Sequence, residues 1–206
     1  MVVLRKFLNW VRSWSSPDIG ITTKIALTAL LIAFYVVNAR FLRVMGGVPG
    51  ADAIANLNFS ILAVVVAAFV LGPWWAAAVG GLGDVMGAVL WPFGAFFPGY
   101  AINFALVGVI LGFCVFRKKT TTDLRLVVGL VVGMFFAWLL VLVPLHTLWM
   151  HITRGLPFWL VLGARAWMVG VMSIIVVVVA FAVLKFIRKP VDKFLIIDDE
   201  VEVDDD

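Results

Sequence analysis

Apolar runs of membrane-spanning length follow one another along this chain and leave few folds open to it. Several runs approach the roughly 20 residues that a helix needs to cross about 30 Å of hydrocarbon. Of the 206 residues 64% are hydrophobic, against about half in an ordinary soluble domain. Only helices and closed barrels satisfy their own backbone in lipid, and the runs lack the alternation of barrel strands. The sequence therefore predicts one all-α integral membrane domain.

Turn-forming residues divide the runs into six predicted membrane helices. Gly72-Pro73 stops the second run and Trp91-Pro92 follows the third, and such pairs break helices. The last run is longer than the bilayer core, so its helix should tilt or protrude. We predict a six-transmembrane-helix bundle over residues 17–190, with helices at about 22–41, 59–71, 74–90, 98–116, 124–145 and 157–187.

The two ends of the chain differ from its apolar middle. On a helix over residues 1–16 the basic side chains share one face, which is typical of an amphipathic helix at the membrane interface. A frayed basic tail is the alternative. The acidic run 198-DDEVEVDDD-206 repels itself, so residues 191–206 are predicted to form a disordered tail. The apolar face of the first segment consists of Leu4, Phe7, Leu8, Val11 and Trp14.

The distribution of basic residues predicts the orientation in the membrane. Six crossings put both ends on one side, and the cytoplasmic side carries the excess of lysine and arginine. Of the 16 basic residues, only Arg40, Arg43, Arg154 and Arg165 fall on the other face. We therefore expect a multi-pass protein of the cell membrane with cytoplasmic N- and C-termini. The predicted outer loops are 42–57, 91–98 and 147–157.

The usual signatures of enzymes and metal sites are missing from the sequence. It contains no G-x-x-x-x-G-K-[ST] loop, no H-E-x-x-H and no G-x-S-x-G, so we expect no catalysis, no metal and no cofactor. His146 and His151 have no cysteine or carboxylate nearby in sequence. The basic residues flank the apolar runs, which indicates a lipid bilayer and no nucleic acid as partner. Cys114 is interpreted as a small core residue.

The predicted outer half is rich in arginine and aromatic residues. Guanidinium pairs with carboxylates and rings stack on rings, so this half favours an anionic ligand with a flat apolar part. The alternative is an aromatic belt at headgroup depth with snorkelling arginines.

Asp84 is an ionisable residue within a predicted membrane helix, where a charge is expensive and marks a functional site by default. Glycines surround it at spacings that let another helix approach closely, so Asp84 should face protein. Two roles remain open. Asp84 either locks helices by pairing with Arg40 or Arg165, or it contacts a ligand or carries a proton.

The stretch 71-LGPWWAAAVGGLGDVMGAVLWPFGAFFPGYAINFALVGVILGF-113 closely resembles the substrate-binding (S) components of energy-coupling factor (ECF) vitamin transporters, in particular the folate family. Members typically read F-G-P-x-x-G-A-x-V-G-A-x-x-D-x-x-G-A-x-x-x-P-x-G-x-x-F-P-G-(F/Y). The resemblance spans roughly residues 22 to 190. The positions on the pattern are Gly72, Pro73, Val79, Gly80, Asp84, Gly87, Ala88, Pro92, Gly94, Phe97, Pro98 and Gly99.

The resemblance implies a vitamin-binding protein of a bacterial cell membrane. Its partners would be a transmembrane coupling subunit and two cytoplasmic ATPases, which drive the loaded component to topple and release the vitamin inside. Ala29 and Ala33 match the Ala-x-x-x-Ala motif that is thought to contact the coupling subunit.

Residues that match the family or lie in the outer half are the predicted ligand contacts. Arg40 and Arg165 would bind carboxylate, and Asn103 would donate or accept a hydrogen bond. The aromatic residues expected to stack on the ligand or to close over it are Trp91, Phe96, Phe97 and Tyr100.

Two departures from the family pattern bear on the ligand. Met168 stands where a lysine is frequent, and the loop 44–58 lacks the usual R-I-S-F-G-F wording. Folate is the first expectation, and another vitamin such as pantothenate or cobalamin is the alternative. Functions of other classes are a proton-coupled carrier that uses Asp84 and a scaffold protein that binds nothing small. The sequence shows no pair of broken helices of the kind that such carriers have.

Overall fold

The computed structural model describes the backbone of residues 19–41, 44–45, 56–57, 59–92, 96–116 and 122–203. The predicted interfacial helix over 1–16 lies outside these residues. A π-helical segment, Trp138–Leu145, joins α5 to α6 without a break, and β1 (Val44–Met45) pairs antiparallel with β2 (Asn56–Leu57). The α-helices are α1 (Ile21–Phe41), α2 (Ile61–Val70), α3 (Pro73–Leu90), α4 (Pro98–Val115), α5 (Asp123–Ala137), α6 (His146–Arg154) and α7 (Phe158–Val203).

Helical segments lie at all six predicted positions. Four stretches of the described chain are long and apolar enough to cross a membrane, and the class of helical, multi-pass membrane protein is thereby confirmed. α2 is apolar, but its 10 residues reach only about half of the hydrocarbon thickness. The candidate spans are Ile21–Ala39, Pro98–Val115, Asp123–Arg154 and Phe158–Arg188.

The predicted break between the second and third helices is confirmed. α2 ends at Val70 and α3 begins at Pro73, which occupies the first turn of its helix. Gly72 between them has φ of 99°, a left-handed conformation that residues with a Cβ rarely adopt. This turn places the buried helix α2 beside α3, and both pack against α4.

The predicted end of the fifth helix near residue 145 is wrong. The helix continues through the π-helical segment and α6 to Arg154, where Gly155 ends it with φ of 66°. Pro144 lies inside the π-helical segment. Because backbone bonds there no longer follow the i to i−4 pattern, the missing N–H of the proline does not end the helix. Residues 147–154 of the predicted outer loop are therefore helical.

The predicted end of the last helix near residue 187 is also wrong. α7 continues to Val203, so the tail predicted to be disordered over 191–206 is helical over 191–203. Extending an existing helix avoids the cost of nucleating a new one, which the prediction from charge repulsion left out.

The helices run up and down, and one end of the bundle carries paired charges. Arg188 of α7 donates a 2.9 Å hydrogen bond to Asp123 at the start of α5. Near the end of α4, the carbonyl of Cys114 lies against Gly129 of α5. We call this end, defined by Asp123, Lys185 and Arg188, the basic end.

The opposite end of the bundle brings together the start of α4, α6 and the start of α7. Gly99 at the start of α4 faces the indole of Trp149 on α6. His151 near the end of α6 makes an edge-to-face contact with Phe158 at the start of α7. We call this end, defined by Phe97, Trp149 and Phe158, the aromatic end.

α3 and α4 pack so closely that glycine is required between them. A Cβ atom added to Gly108 of α4 would lie 2.5 Å from the carbonyl of Ala76 on α3, and one added to Gly80 would collide with the backbone carbonyl of Phe104. The predicted close approach of another helix to the glycines around Asp84 is confirmed, since Gly80 contacts α4 and Gly83 contacts the ring of Tyr35 on α1.

Candidate functional site

The candidate site is a group of buried and half-buried polar and aromatic side chains at the aromatic end. α4 contributes Tyr100 and Asn103, α6 contributes His146 and Trp149, and α7 contributes Arg165. We call these five residues the α4–α6–α7 cluster. The π-helical segment directly before α6 sets the rotation of α6 about its axis and therefore which α6 residues face α4.

Asn103 and Trp149 are joined by a hydrogen bond at the centre of the cluster. The indole Nε1 of Trp149 donates to Oδ1 of Asn103 at 3.0 Å. Asn103 has no exposed surface. The indole also packs against Phe97, at 5.3 Å between ring centroids, and it fills the space beside Gly99. The bond and these contacts fix the position of the amide.

Tyr100 connects the two ends of α6. Its ring lies against His146, with 4.8 Å between centroids and 38° between planes. Its hydroxyl is 3.2 Å from the hydroxyl of Thr153, which in turn donates to the carbonyl of Trp149 at 2.7 Å. Tyr100 also makes an edge-to-face contact with Phe97. The cluster therefore presents several aromatic faces close to polar groups.

The π-helical segment provides a hydrogen-bond partner for Arg165. In an α-helix the carbonyl of Leu142 would accept from the N–H of residue 146. Here the N–H of His146 reaches the carbonyls of Val141 and Val143 instead. The Leu142 oxygen accepts instead from the guanidinium of Arg165, whose Nη2 lies 3.0 Å from it. Local π-helical geometry is frequent at functional sites.

Arg165 is a buried cation, with 7% of its surface exposed. Besides its bond to the Leu142 carbonyl, Nη1 lies 3.7 Å from Sδ of Met150. The guanidinium is also within electrostatic range of Tyr100 and His146. A buried charge is costly unless it is paired or used, and a guanidinium can bind a carboxylate through two parallel hydrogen bonds.

The structure brings together some of the predicted ligand residues and leaves others apart. Tyr100, Asn103 and Arg165 all belong to the cluster, and Phe97 packs against it. Trp91 and Phe96 are about half exposed, at 51% and 48%, and the described contacts do not place them in the cluster.

Three further predicted residues lie outside the cluster, and Arg40 lies outside the described side chains. Asp84 is half-buried on α3, and its pairing with Arg40 or Arg165 stays a prediction. Ala29 and Ala33 are both exposed on α1.

Sequence reasoning missed Trp149 and His146 as site residues. Trp149 falls within the predicted outer loop 147–157, and the sequence pattern offers His146 only as a possible metal ligand. Both fell at or next to a predicted loop. The signal that could have found them is their spacing of three, which places two polar-tipped rings on one face if the helix continues past Pro144.

A helical membrane bundle with a buried arginine and an aromatic cluster at one end is a protein that can hold a small polar molecule within the membrane. A comparison with family models makes the class specific. The model for "ECF transporter, substrate-specific component" matches residues 23–188, and the chain belongs to this family. As the substrate-specific component of a transporter it is not an enzyme.

Individual relatives agree with this family. The chain is 29% identical to a protein named folate transporter FolT from Clostridium novyi (strain NT), over 62% of this chain and 67% of the relative. It is 25% identical to a folate transporter FolT from Leuconostoc mesenteroides subsp. mesenteroides, over 69% and 70% of the two chains.

A solved structure shares the fold. The crystal structure of a FolT bound with folic acid superposes with a TM-score of 0.67, at 24% identity, and covers 80% of this chain and 93% of that chain. This likeness supports the predicted helical fold independently of the sequence pattern.

Proposed function

We propose that this chain captures folate, or a close chemical relative of it, from outside the cell and delivers it into the cytoplasm as part of an ECF transporter. Two relatives named folate transporter support the choice of vitamin. The observation that carries the proposal is the α4–α6–α7 cluster. Folate combines a flat heteroaromatic ring with carboxylates, and the cluster combines stacking rings with a buried guanidinium.

The ligand would divide between two parts of the cluster. Arg165 is the group suited to a carboxylate because its planar fork pairs bidentately. Tyr100, His146 and Trp149 offer faces for the ring, and Asn103 offers its amide. Arg40, Trp91 and Phe96 are proposed as further contacts that approach the ligand from α1 and from the loop between α3 and α4.

The proposed orientation puts the aromatic end outside and the basic end in the cytoplasm. In this arrangement the chain crosses the membrane six times. α2 and α3 each count as one crossing. The positive-inside rule supports it, since Lys185 and Arg188 lie at the basic end. Both termini would then be cytoplasmic. Asp84 is proposed to tie α3 to the neighbouring helices beneath the site.

The exposed face of α1 is proposed to dock on a transmembrane coupling subunit. Ala29 and Ala33 lie one helical turn apart on this face, and small side chains allow a close helix contact. Leu30 beside them is 65% exposed. Two cytoplasmic ATPases bound to the coupling subunit would drive the chain to topple and release the vitamin.

Binding of folic acid to the purified chain in detergent, measured by calorimetry, tests the choice of vitamin. We expect saturable binding of folic acid and none of pantothenate or cobalamin at the same concentrations. Binding of either rival without folic acid would contradict folate as the ligand while leaving the family assignment intact.

Uptake of labelled folic acid by cells tests the mechanism. We expect uptake only when the coupling subunit and active ATPases are present with this chain. Uptake by the chain alone, abolished by an uncoupler and by Asp84→Asn, would contradict the proposal and identify a proton-coupled carrier.

A further inference from the structure

Asn103 and His146 of the α4–α6–α7 cluster each have a buried polar atom without a hydrogen-bond partner within the described part of the chain. These atoms are Nδ2 of Asn103 and Nδ1 of His146. A buried polar atom without a partner is costly, and most buried side-chain polar atoms in proteins are paired. Both atoms belong to residues of one cluster, which indicates that a molecule absent from the chain itself satisfies them.

The orientation of the Asn103 amide follows from its partner. The indole N–H of Trp149 can only donate, so the atom 3.0 Å from it must be the amide oxygen. An amide with its oxygen and nitrogen exchanged would place two donors against each other. Nδ2 is therefore held in one place, and it offers N–H donors to an external molecule.

His146 complements this fixed donor with an adaptable atom. Its ring is held against Tyr100 by the contact of 4.8 Å between centroids. A neutral imidazole nitrogen donates or accepts according to its tautomer. Together the two residues present one fixed donor and one group that adjusts to either partner.

We infer that Asn103 and His146 read the polar edge of the ligand ring, and that Asn103 selects a ring that carries a carbonyl at that edge over one that carries an amino group. The inference rests on the proposed function, since it concerns the pteridine ring of a folate. Folic acid has a carbonyl at ring position 4, and the ring nitrogens N3 and N5 lie along the same edge. Its 4-amino analogue, aminopterin, has an amino group there, which would set a donor against the donor of Asn103.

Binding of folic acid and of aminopterin to the wild-type chain provides the first test, measured by calorimetry under identical conditions. We expect folic acid to bind at least tenfold more tightly. This ratio requires no substitution, so it does not depend on a variant that folds. Equal affinities would overturn the inference and leave the proposed function standing, because an ordered water would then account for the unpaired amide.

Asn103→Asp exchanges the donor for an acceptor. A carboxylate can still accept from Trp149 with one oxygen, while its other oxygen faces the ligand. We expect the preference for folic acid to fall at least tenfold or to reverse in favour of aminopterin. An unchanged ratio in a variant with an unchanged elution profile would overturn the role of Asn103.

His146→Phe keeps a ring against Tyr100 and removes the nitrogen atoms. We expect the affinity for folic acid to fall at least fivefold. His151→Phe is the matched control on the same helix, because His151 is exposed and bonds the carbonyl of Leu156; its affinity should stay within twofold of wild type. Equal affinities of the two variants would remove His146 from the inference.

Failure of the proposed function has a separate signature. If neither folic acid nor aminopterin binds to the wild-type chain, the choice of folate and the inference built on it are both overturned. If both bind but the ratio is near one, only the inference is overturned.

Discussion

The α3–α4 pair and the α5–α7 pair are held together by different physical means. Glycines let the backbones of α3 and α4 touch, as at Gly108 and Ala76. α7 is joined to the helix of α5 by hydrogen bonds, from Arg165 to the Leu142 carbonyl and from Trp138 to the Ala166 carbonyl. A backbone contact between helices cannot be exchanged for a contact with a ligand, whereas a hydrogen bond can. The comparison indicates that the α3–α4 pair is fixed and that the α5–α7 pair can respond to binding.

Gly108→Ala should give the largest loss of stability. A small loss would contradict the view that backbone contact fixes the α3–α4 pair. The added Cβ would meet the Ala76 backbone at 2.5 Å, and backbone cannot move aside cheaply. We expect a loss of roughly 3 kcal/mol in the free energy of unfolding, the upper end of the usual cost of overpacking. The thermal unfolding midpoint in detergent measures it.

Gly163→Ala is the matched control for this substitution. Among the described residues, no atom outside the local helix backbone lies within 4 Å of the added Cβ at this position on α7. Alanine is a better helix former than glycine, by about 0.5–1 kcal/mol, so this variant should unfold at a slightly higher temperature. Equal losses at both glycines would mean that the α3–α4 pair is no more tightly packed than the exposed face of α7.

Arg165→Ala should have the next largest effect, on ligand affinity. Removing the guanidinium takes away the proposed carboxylate partner, and we expect at least a tenfold weaker affinity for folic acid, about 1.4 kcal/mol. Calorimetry measures the change. Arg188→Ala at the basic end is the control and should leave the affinity within twofold. Equal affinities of wild type and Arg165→Ala would exclude Arg165 from the site.

Loss of the ion pair between Asp123 and Arg188 should have the smallest effect on stability. It tests how much an exposed contact contributes to the α5–α7 pair. Both side chains are partly exposed, and such pairs contribute about 0–1 kcal/mol. Asp123→Asn, Arg188→Gln and the double variant form a cycle that isolates the coupling between them. We expect a coupling that disappears in about 1 M salt, where screening is strong. A coupling that persisted in salt would show that this tie is stronger than its exposure suggests.

The sequence predicted the first half of the bundle better than the second. Gly72-Pro73 marks a break by its own chemistry, and the glycines around Asp84 require a close neighbour whatever that neighbour is. Both features depend on local residues, so local reasoning found them. The family pattern follows from the same stretch.

The structure of the second half depends on a backbone irregularity that no residue type in the sequence predicts. Pro144 is normally read as the end of a helix, and here the π-helical segment carries the chain past it. Tyr100, Asn103 and Arg165 were predicted because of their polarity or their family match. Trp149 and His146 were not, because their positions opposite α4 exist only if the helix continues to Arg154.

The π-helical segment also sets the direction in which each side chain of α6 points around the helix axis. A widened turn acts on a helix like the insertion of a single residue, and each residue turns the helix by about 100°. Removing one residue from Trp138–Leu145 would swing the indole of Trp149 away from Asn103 while leaving the composition of α6 unchanged. Relatives that lack the extra residue would place a different side chain at that position, so equivalent residues in this part of the family have to be matched by direction in space rather than by counting along the chain.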